Sequence, residues 1–372
     1  MTKLKLLFFV NGVEGSAVGI RAEIFATRLP QDWKIEFCYR PRKKWQGLWS
    51  FVQSAIAFQP DIVYVMDTAY TGVLAGVLSQ HLMGCKLITD TGDVAYELAQ
   101  SKATYSKPQL ALIRWVEQLA IHRSDRVVVR GSYHKQWLVE QGVPAHQIEF
   151  VPDGVEIDSL KTVAASSLRK ELDLDNDLVV GLVGTMSWSE RYQMCYGWDV
   201  VEALGLLKDE PVKGLLVGDG NGRKVLEKRV EELGISDRIV FTGQIPYEDL
   251  PYYLAAMDVC VSTQSNDLVG QVRTTGKLPL YLASGKYVVA TDVGEASRVL
   301  PSVGCLLPYE GVKDKNHPAR LANHLKLLIE NPERVNVSKK ARQIAKENFD
   351  YDLLAQRVKR LCQNLVSCPL DT

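Results

Sequence analysis

The sequence predicts two α/β domains in tandem, each a doubly wound parallel sheet covered by helices. Three observations carry this. The 372 residues exceed what one hydrophobic core usually organises, so two domains are expected. Short apolar runs recur six times in each half, with helical periodicity between several of them, the alternation that builds a parallel sheet. Between the halves, near residues 155 to 177, the rhythm breaks into a polar stretch with turn chemistry at Asp175, Asn176 and Asp177.

In the first half the spacing predicts strands over 4–10, 35–39, 62–66, 86–89, 126–129 and 148–151, with a helix over 20–29 after the first strand. The opening run has a charged start and an apolar stretch. It ends at Asn11 and Gly12 without a small-residue cleavage site, so it reads as a strand and not a leader. The second half repeats the scheme over 178–183, 214–217, 238–241, 259–261, 287–290 and 305–307. A helix opening at Lys277 stops at Gly285. These readings give domains over 1–160 and 175–349. The last helical stretch, 351–365, carries an apolar stripe of Leu354, Val358, Leu361 and Leu365 that must be covered, and 350–372 is expected to return to the first domain. Ligands of such sheets sit beyond the carboxyl ends of the strands, so two domains facing across a cleft would line it with the loops after Val10, Thr89, Val183, Val217, Phe241 and Val261.

Composition narrows the function. Forty-four basic and 44 acidic residues leave no net charge, which removes the electrostatic footprint of a dedicated nucleic-acid binder. Seven scattered cysteines with no CxxC pair suggest reduced thiols in the cytosol, not a disulfide framework or a zinc cluster. No apolar run approaches the roughly 20 residues that span a bilayer, so any membrane contact is expected to be peripheral. The basic and aromatic run 39–45 could touch an anionic surface or a phosphorylated acceptor, although a solvated loop is the weightier reading.

Candidate ligand sites follow the strand ends. Gly12, Gly15 and Gly19 precede the first helix at a spacing that misses the dinucleotide fingerprint, which leaves anion contact and a tight turn evenly matched. The run Gly218 to Gly222 misses it too, because Arg223 stands where the third glycine would be, so a plain turn is favoured there. Asp173 and Asp175 form a D-x-D that precedes a strand and reads as a solvated turn. The histidines show no HxH or HExxH spacing, so no metal is expected. Arg191, in the loop opening at Gly184, could reach a phosphate. The strongest segment is Arg273, Thr274, Thr275, Gly276 and Lys277: two cations and two hydroxyls just before a helix, a phosphate-binding composition.

Taken in order, Ser124 to Val129 with Gly142, Val151 to Gly154, Gly184, Leu216 to Gly220, Arg238 to Gly243, Asp258 to Ser262 and Gly285 to Ala290 cover most of the chain. In these motifs the chain resembles the retaining, GT-B fold glycosyltransferases called glycosyl transferases group one. The resemblance implies two Rossmann-like domains, the first holding an acceptor and the second a nucleotide-diphosphate sugar, with no cofactor and no metal. It maps the family's diphosphate-binding cations onto Arg191 and Lys277 and brings the backbone near Gly243 and Gln244 to the base. Three departures stand out. The family's paired glutamates fall on Val272 and Leu280, its first-domain histidine falls on Gly92 between Asp90 and Asp93, and its asparagine before Gly154 is Asp153.

What the resemblance implies is therefore transfer with retention from a nucleotide sugar to an unknown acceptor, carried by Lys277, Arg191 and the Gly276 amide at the leaving diphosphate. Asp93 would position the acceptor. Fixed donors aimed at developing charge are worth about 3 kcal/mol each. A nucleotide-sugar epimerase or hydrolase on the same fold, or a silent paralogue that binds a nucleotide sugar or a partner, are the alternatives that Val272 and Leu280 keep open.

Overall fold

The computed structural model describes residues 3–41, 44–102, 104–160, 163–164 and 166–367. Of the basic run 39–45, Arg42, Lys43 and the side chains of Lys44 and Trp45 lie outside the described residues. The chain divides into two compact units, and the first runs to Asp153, takes in Val272–Thr274, and resumes at Tyr351. The break after Asp153 comes earlier than residue 160, because Val155 bonds to the Phe349 carbonyl and packs in the core of the second unit.

In the first unit β1 (Lys5–Val10), β2 (Lys34–Tyr39), β3 (Ile62–Met66), β4 (Lys86–Thr91), β5 (Arg126–Val129) and β6 (Ile148–Phe150) form one parallel sheet in the order β2-β1-β3-β4-β5-β6. Val10 lies opposite Tyr39 on one side and Met66 on the other. A strand covered on both faces is apolar at every position, and β1 alternates accordingly. Leu6, Phe8 and Val10 join Ala22 and Phe25 in one core cluster. Leu7 and Phe9 join Phe51, Val52 and Ala55 in the other. The helix after β1 is Ala17–Ala26, three residues earlier than the apolar periodicity placed it, because the Ser16 hydroxyl caps it by accepting from the Gly19 amide.

The C-terminal helix, Tyr351–Ser367, completes this unit. Leu354, Val358, Leu361 and Leu365 are buried in the same cluster as Leu6 and Phe8. Each contributes about 1.5–3 kcal/mol by leaving water, so this helix is a layer of the first unit and not an appendage.

In the second unit β7 (Leu178–Val183), β8 (Val212–Val217), β9 (Ile239–Gly243), β10 (Val259–Ser262), β11 (Tyr287–Thr291) and β12 (Gly304–Leu307) are again parallel, in the order β12-β11-β10-β7-β8-β9. The two units differ in winding. The chain reverses direction across the sheet between β1 and β3 in the first unit and between β7 and β10 in the second, and such switch points open a crevice at the strands' carboxyl ends.

Candidate functional site

Lys277 stands over the switch point of the second unit. It opens the helix Lys277–Ala283, which follows β10, yet its side chain reaches back to the end of β7. A Cβ on Gly184 would lie 2.5 Å from Lys277 Cε and would displace the end of the lysine, and the φ of 145° there also favours glycine. Two tyrosines hold this corner: Tyr196 Oη donates to the Val261 carbonyl at 3.0 Å, and Tyr281 Oη accepts from the Val183 amide at 2.8 Å. Lys277 Nζ sits 3.8 Å from the centroid of the Tyr196 ring, a cation over an aromatic face. Two residues earlier in the chain, Thr275 Oγ1 is buried and has no hydrogen-bond partner among the described residues.

The neighbouring loops pack on this corner through backbone. Gly218 approaches so closely that an added Cβ would meet the Gly184 carbonyl at 2.1 Å, and Met186 bonds to Asp219 and Gly222. The run 218–222 is therefore a structural turn. Gly243 ends β9 at φ 71° and accepts from the Gly218 amide, while Gln244 is exposed. Sequence reasoning passed over Arg223, whose NH1 comes within 2.9 Å of where a Gly243 Cβ would be. Its signal was its position in place of the fingerprint's third glycine. Arg191 lies at the exposed turn of a loop closed by a bridge between Ser189 and Met194, its guanidinium 5.2 Å from the Tyr192 ring.

The segment read as one cationic cradle is divided. Val272–Thr274 belongs to the first unit, and Thr275 to Lys277 to the second. Arg273 forms a two-pronged ion pair with Asp93, Nε donating to Oδ1 at 2.7 Å and NH2 at 2.6 Å, and the Thr274 hydroxyl donates to the Arg130 carbonyl. The second cation of that cradle thus holds a carboxylate, so the charge expected for phosphate at this segment is halved.

Behind Asp93 lies a buried charge cluster at the carboxyl ends of β4, β5 and β6. Asp90 accepts from Arg21 Nε at 3.1 Å, from Arg130 Nε at 2.9 Å and from Tyr64 Oη at 3.3 Å, and Arg21 also caps the Val151 and Pro152 carbonyls. Burial pushes the Asp90 carboxyl up, but the two guanidiniums outweigh it and hold it below the ordinary carboxylate value. An added Cβ at Gly92 would meet Arg130 Cδ at 2.9 Å, so Arg130 fills the space a side chain at position 92 would need. Asp67, just after β3, is pushed up by burial against the opposing pull of Arg130 and the Thr68 amide. At the other strand of this switch point, Asn11 bonds to the Met66 and Asp67 carbonyls, the Thr71 hydroxyl and the Gly72 amide. Gly12 and Gly15 shape the turn into the first helix: a Cβ on Gly12 would strike Ser16 Oγ at 2.3 Å, and Gly15 has φ 75°.

Val272 is fully buried and Leu280 packs against the core of the second unit, so neither position carries an ionisable group. Asp173 ion-pairs with Lys213 at 2.8 Å, and among the described residues no three His, Cys, Asp or Glu side chains gather as a metal site. No described helix is long and apolar enough to cross a membrane.

Two doubly wound parallel sheets, the second with a lysine at its switch point, define a two-domain α/β protein with the GT-B architecture. Comparison with known proteins gives the family. The model for glycosyl transferases group 1 matches residues 177–331, and that for a glycosyl transferase 4-like domain matches 13–154. The chain belongs to the glycosyl transferases group 1 family and is a glycosyltransferase. It is 26% identical to the 2-deoxystreptamine glucosyltransferase of Streptomyces kanamyceticus over 79% of this chain and 71% of that one. With the D-inositol 3-phosphate glycosyltransferase of Nocardia farcinica it shares 30% identity over 49% of this chain and 40% of that one. Among solved structures, Anabaena HepE in complex with UDP superposes with a TM-score of 0.75 at 19% identity, covering 97% of this chain and all of that one. Sucrose-phosphate synthase from Thermosynechococcus elongatus gives 0.74 at 18% identity over 98% and 99% of the two chains.

Proposed function

We propose that this glycosyltransferase moves a sugar from a uridine-diphosphate sugar to a hydroxyl acceptor with retention at the anomeric carbon. The observation that carries the reading is Lys277 over the β7/β10 switch point, against Gly184 and the Tyr196 ring. HepE, whose fold this chain shares, has been solved with UDP and with UDP-glucose, which favours uridine as the base.

In this reading the bond from the anomeric carbon to the diphosphate breaks as the acceptor oxygen attacks from the same face. The acceptor proton passes to the departing phosphate oxygen, so no protein nucleophile is needed. Negative charge grows on the diphosphate, and Lys277, Arg191 and the Gly276 amide stabilise it where it develops, each donor being worth about 3 kcal/mol. These groups do the work that neither Val272 nor Leu280 can do. Asp93, oriented by Arg273, positions the acceptor hydroxyl. The nucleotide sugar is a co-substrate, and the reading assigns no cofactor and no metal. It places the enzyme in the cytosol, where thiols such as Cys38 and Cys260 stay reduced.

Thermal unfolding in the presence of UDP, GDP and ADP tests the donor site: a hundredfold excess over Kd should stabilise the protein by about 3 kcal/mol, with UDP giving the largest shift. Proton NMR of the glycoside formed reports the anomeric configuration. If Lys277→Ala and Arg191→Ala both leave nucleotide release unchanged, the assignment of the site is wrong.

A further inference from the structure

The first unit contains a cavity of about 470 Å³. Its floor comes from the loops after β2, β3 and β4, beside the switch point, and its wall from the helices Ala95–Ser101 and Lys107–Arg123. The volume suits a small organic ligand. The loops after the strands present Arg40, Asp67, Thr68 and Asp93, and the helical side is mostly apolar, with Leu98, Leu112, Ile113 and Val116, although Lys102 and Gln109 also line it.

Asp67 gives the polar end a built character. It holds φ 76°, a conformation that costs a non-glycine residue of order 1 kcal/mol or more. The strain is fixed by bonds from the Asp67 amide to the Asp90 carbonyl, from Asn11 to the Asp67 carbonyl, and from the Thr68 amide to the Asp67 carboxylate. The apolar wall is fixed too, because Glu117 on the second helix accepts from the Ala95 and Tyr96 amides and so ties the start of the first helix to it.

Sugar hydroxyls set against Leu98, Leu112, Ile113 and Val116, away from Lys102 and Gln109, would go unbonded, at a cost of about 1–3 kcal/mol each. A ligand with an apolar portion has no such cost. The apolar surface also continues outward: Leu112 is 49% exposed, Trp115 53% and Tyr105 41%, with Lys102, Lys107 and Arg114 exposed around them. Apolar and aromatic side chains ringed by cations suit an amphiphile more than a bare saccharide.

We propose that this cavity binds an amphiphilic acceptor, with a hydroxylated head at Asp67, Thr68 and Asp93 and an apolar chain along Leu98, Leu112 and Ile113. The inference rests on the proposed transfer reaction only in naming the ligand an acceptor. Binding to the cavity is read without any donor, so the two readings can fail separately.

The probe is a series of n-alkyl β-D-glucopyranosides from methyl to octyl, each below its critical micelle concentration, titrated calorimetrically into the full chain. Affinity should rise with chain length, by about fourfold for each methylene fully buried. Leu112→Asp, at a half-exposed position that leaves the fold intact, and Ile113→Asp should both flatten the series, while thermal unfolding and UDP binding stay at the wild-type level. Affinity independent of chain length, or a rise of equal steepness in wild type and both variants, would overturn the proposal. Sedimentation with phosphatidylcholine and phosphatidylglycerol vesicles then separates the sources. Binding lost in Leu112→Asp and Trp115→Asp identifies a lipid acceptor, and no sedimentation alongside a steep alkyl series identifies a soluble amphiphilic glycoside.

Discussion

Replacing Asp90 by asparagine should destabilise the first unit by about 3–5 kcal/mol, the cost of removing one partner from a buried ionic cluster. The magnitude follows from its surroundings. The side chain is fully buried, and it accepts from two guanidiniums and a phenol at 3.1, 2.9 and 3.3 Å. Asparagine keeps one oxygen, turns an N–H towards a guanidinium, and leaves Arg21 and Arg130 to share the less buried Asp153 carboxylate, 3.5 Å from each. For a unit of this size each kcal/mol lowers Tm by about 2–4 °C, so scanning calorimetry should show the first-unit transition falling by about 6–20 °C. The second-unit transition and its response to UDP should not move. The pH dependence adds a sign. Because the folded carboxyl lies below its ordinary 3.8, its contribution is present above that value and is lost as pH falls below it. Asp90→Asn should lack this acid limb. A fall of less than about 2 °C would refute the view that Asp90 organises the carboxyl edge of this sheet.

Three further outcomes are expected. Gly184→Ala would place a methyl group 2.5 Å from Lys277 Cε at φ 145°, so donor KM should rise at least about tenfold in nucleotide-release kinetics while Tm falls modestly. Burial pushes the Glu117 carboxyl up to about 7 from 4.5; the folded state therefore holds the proton more tightly, and stability falls as pH rises through that window. Glu117→Gln should flatten that part of a Tm profile between pH 4.5 and 8, with Asp199, also pushed to about 7 by burial, leaving a residual slope. Leu361→Ala, at a buried position in the C-terminal helix, should cost about 2–5 kcal/mol in urea unfolding of the first unit alone.

The strands were legible because parallel strands buried on both faces must be apolar without interruption, and 62–66 and 178–183 in the sequence are β3 and β7 in the structure. Their order was not. The two halves read as one repeated scheme, yet β1 switches to β3 in one unit and β7 to β10 in the other, because strand neighbours are chosen by helix packing far along the chain. Lys277 was legible as a cation at a helix start. The pairing of Arg273 with Asp93 was not, since 180 residues separate them and neither has a local pattern that names the other. Arg21 shows the same limit: it reads as an ordinary helix residue, and its burial follows from carbonyls at Val151 and Pro152 that only the fold brings to it.

The C-terminal helix has a consequence for the order of events during synthesis. The first sheet leaves the ribosome early, but the stripe that covers Leu6, Phe8 and Val10 arrives with Leu354 to Leu365, after the second unit's last residue, Asp350. The half made first therefore finishes last, with the part of that face not covered by Ala22 and Phe25 exposed to chaperones and to other nascent chains while the younger half is already complete.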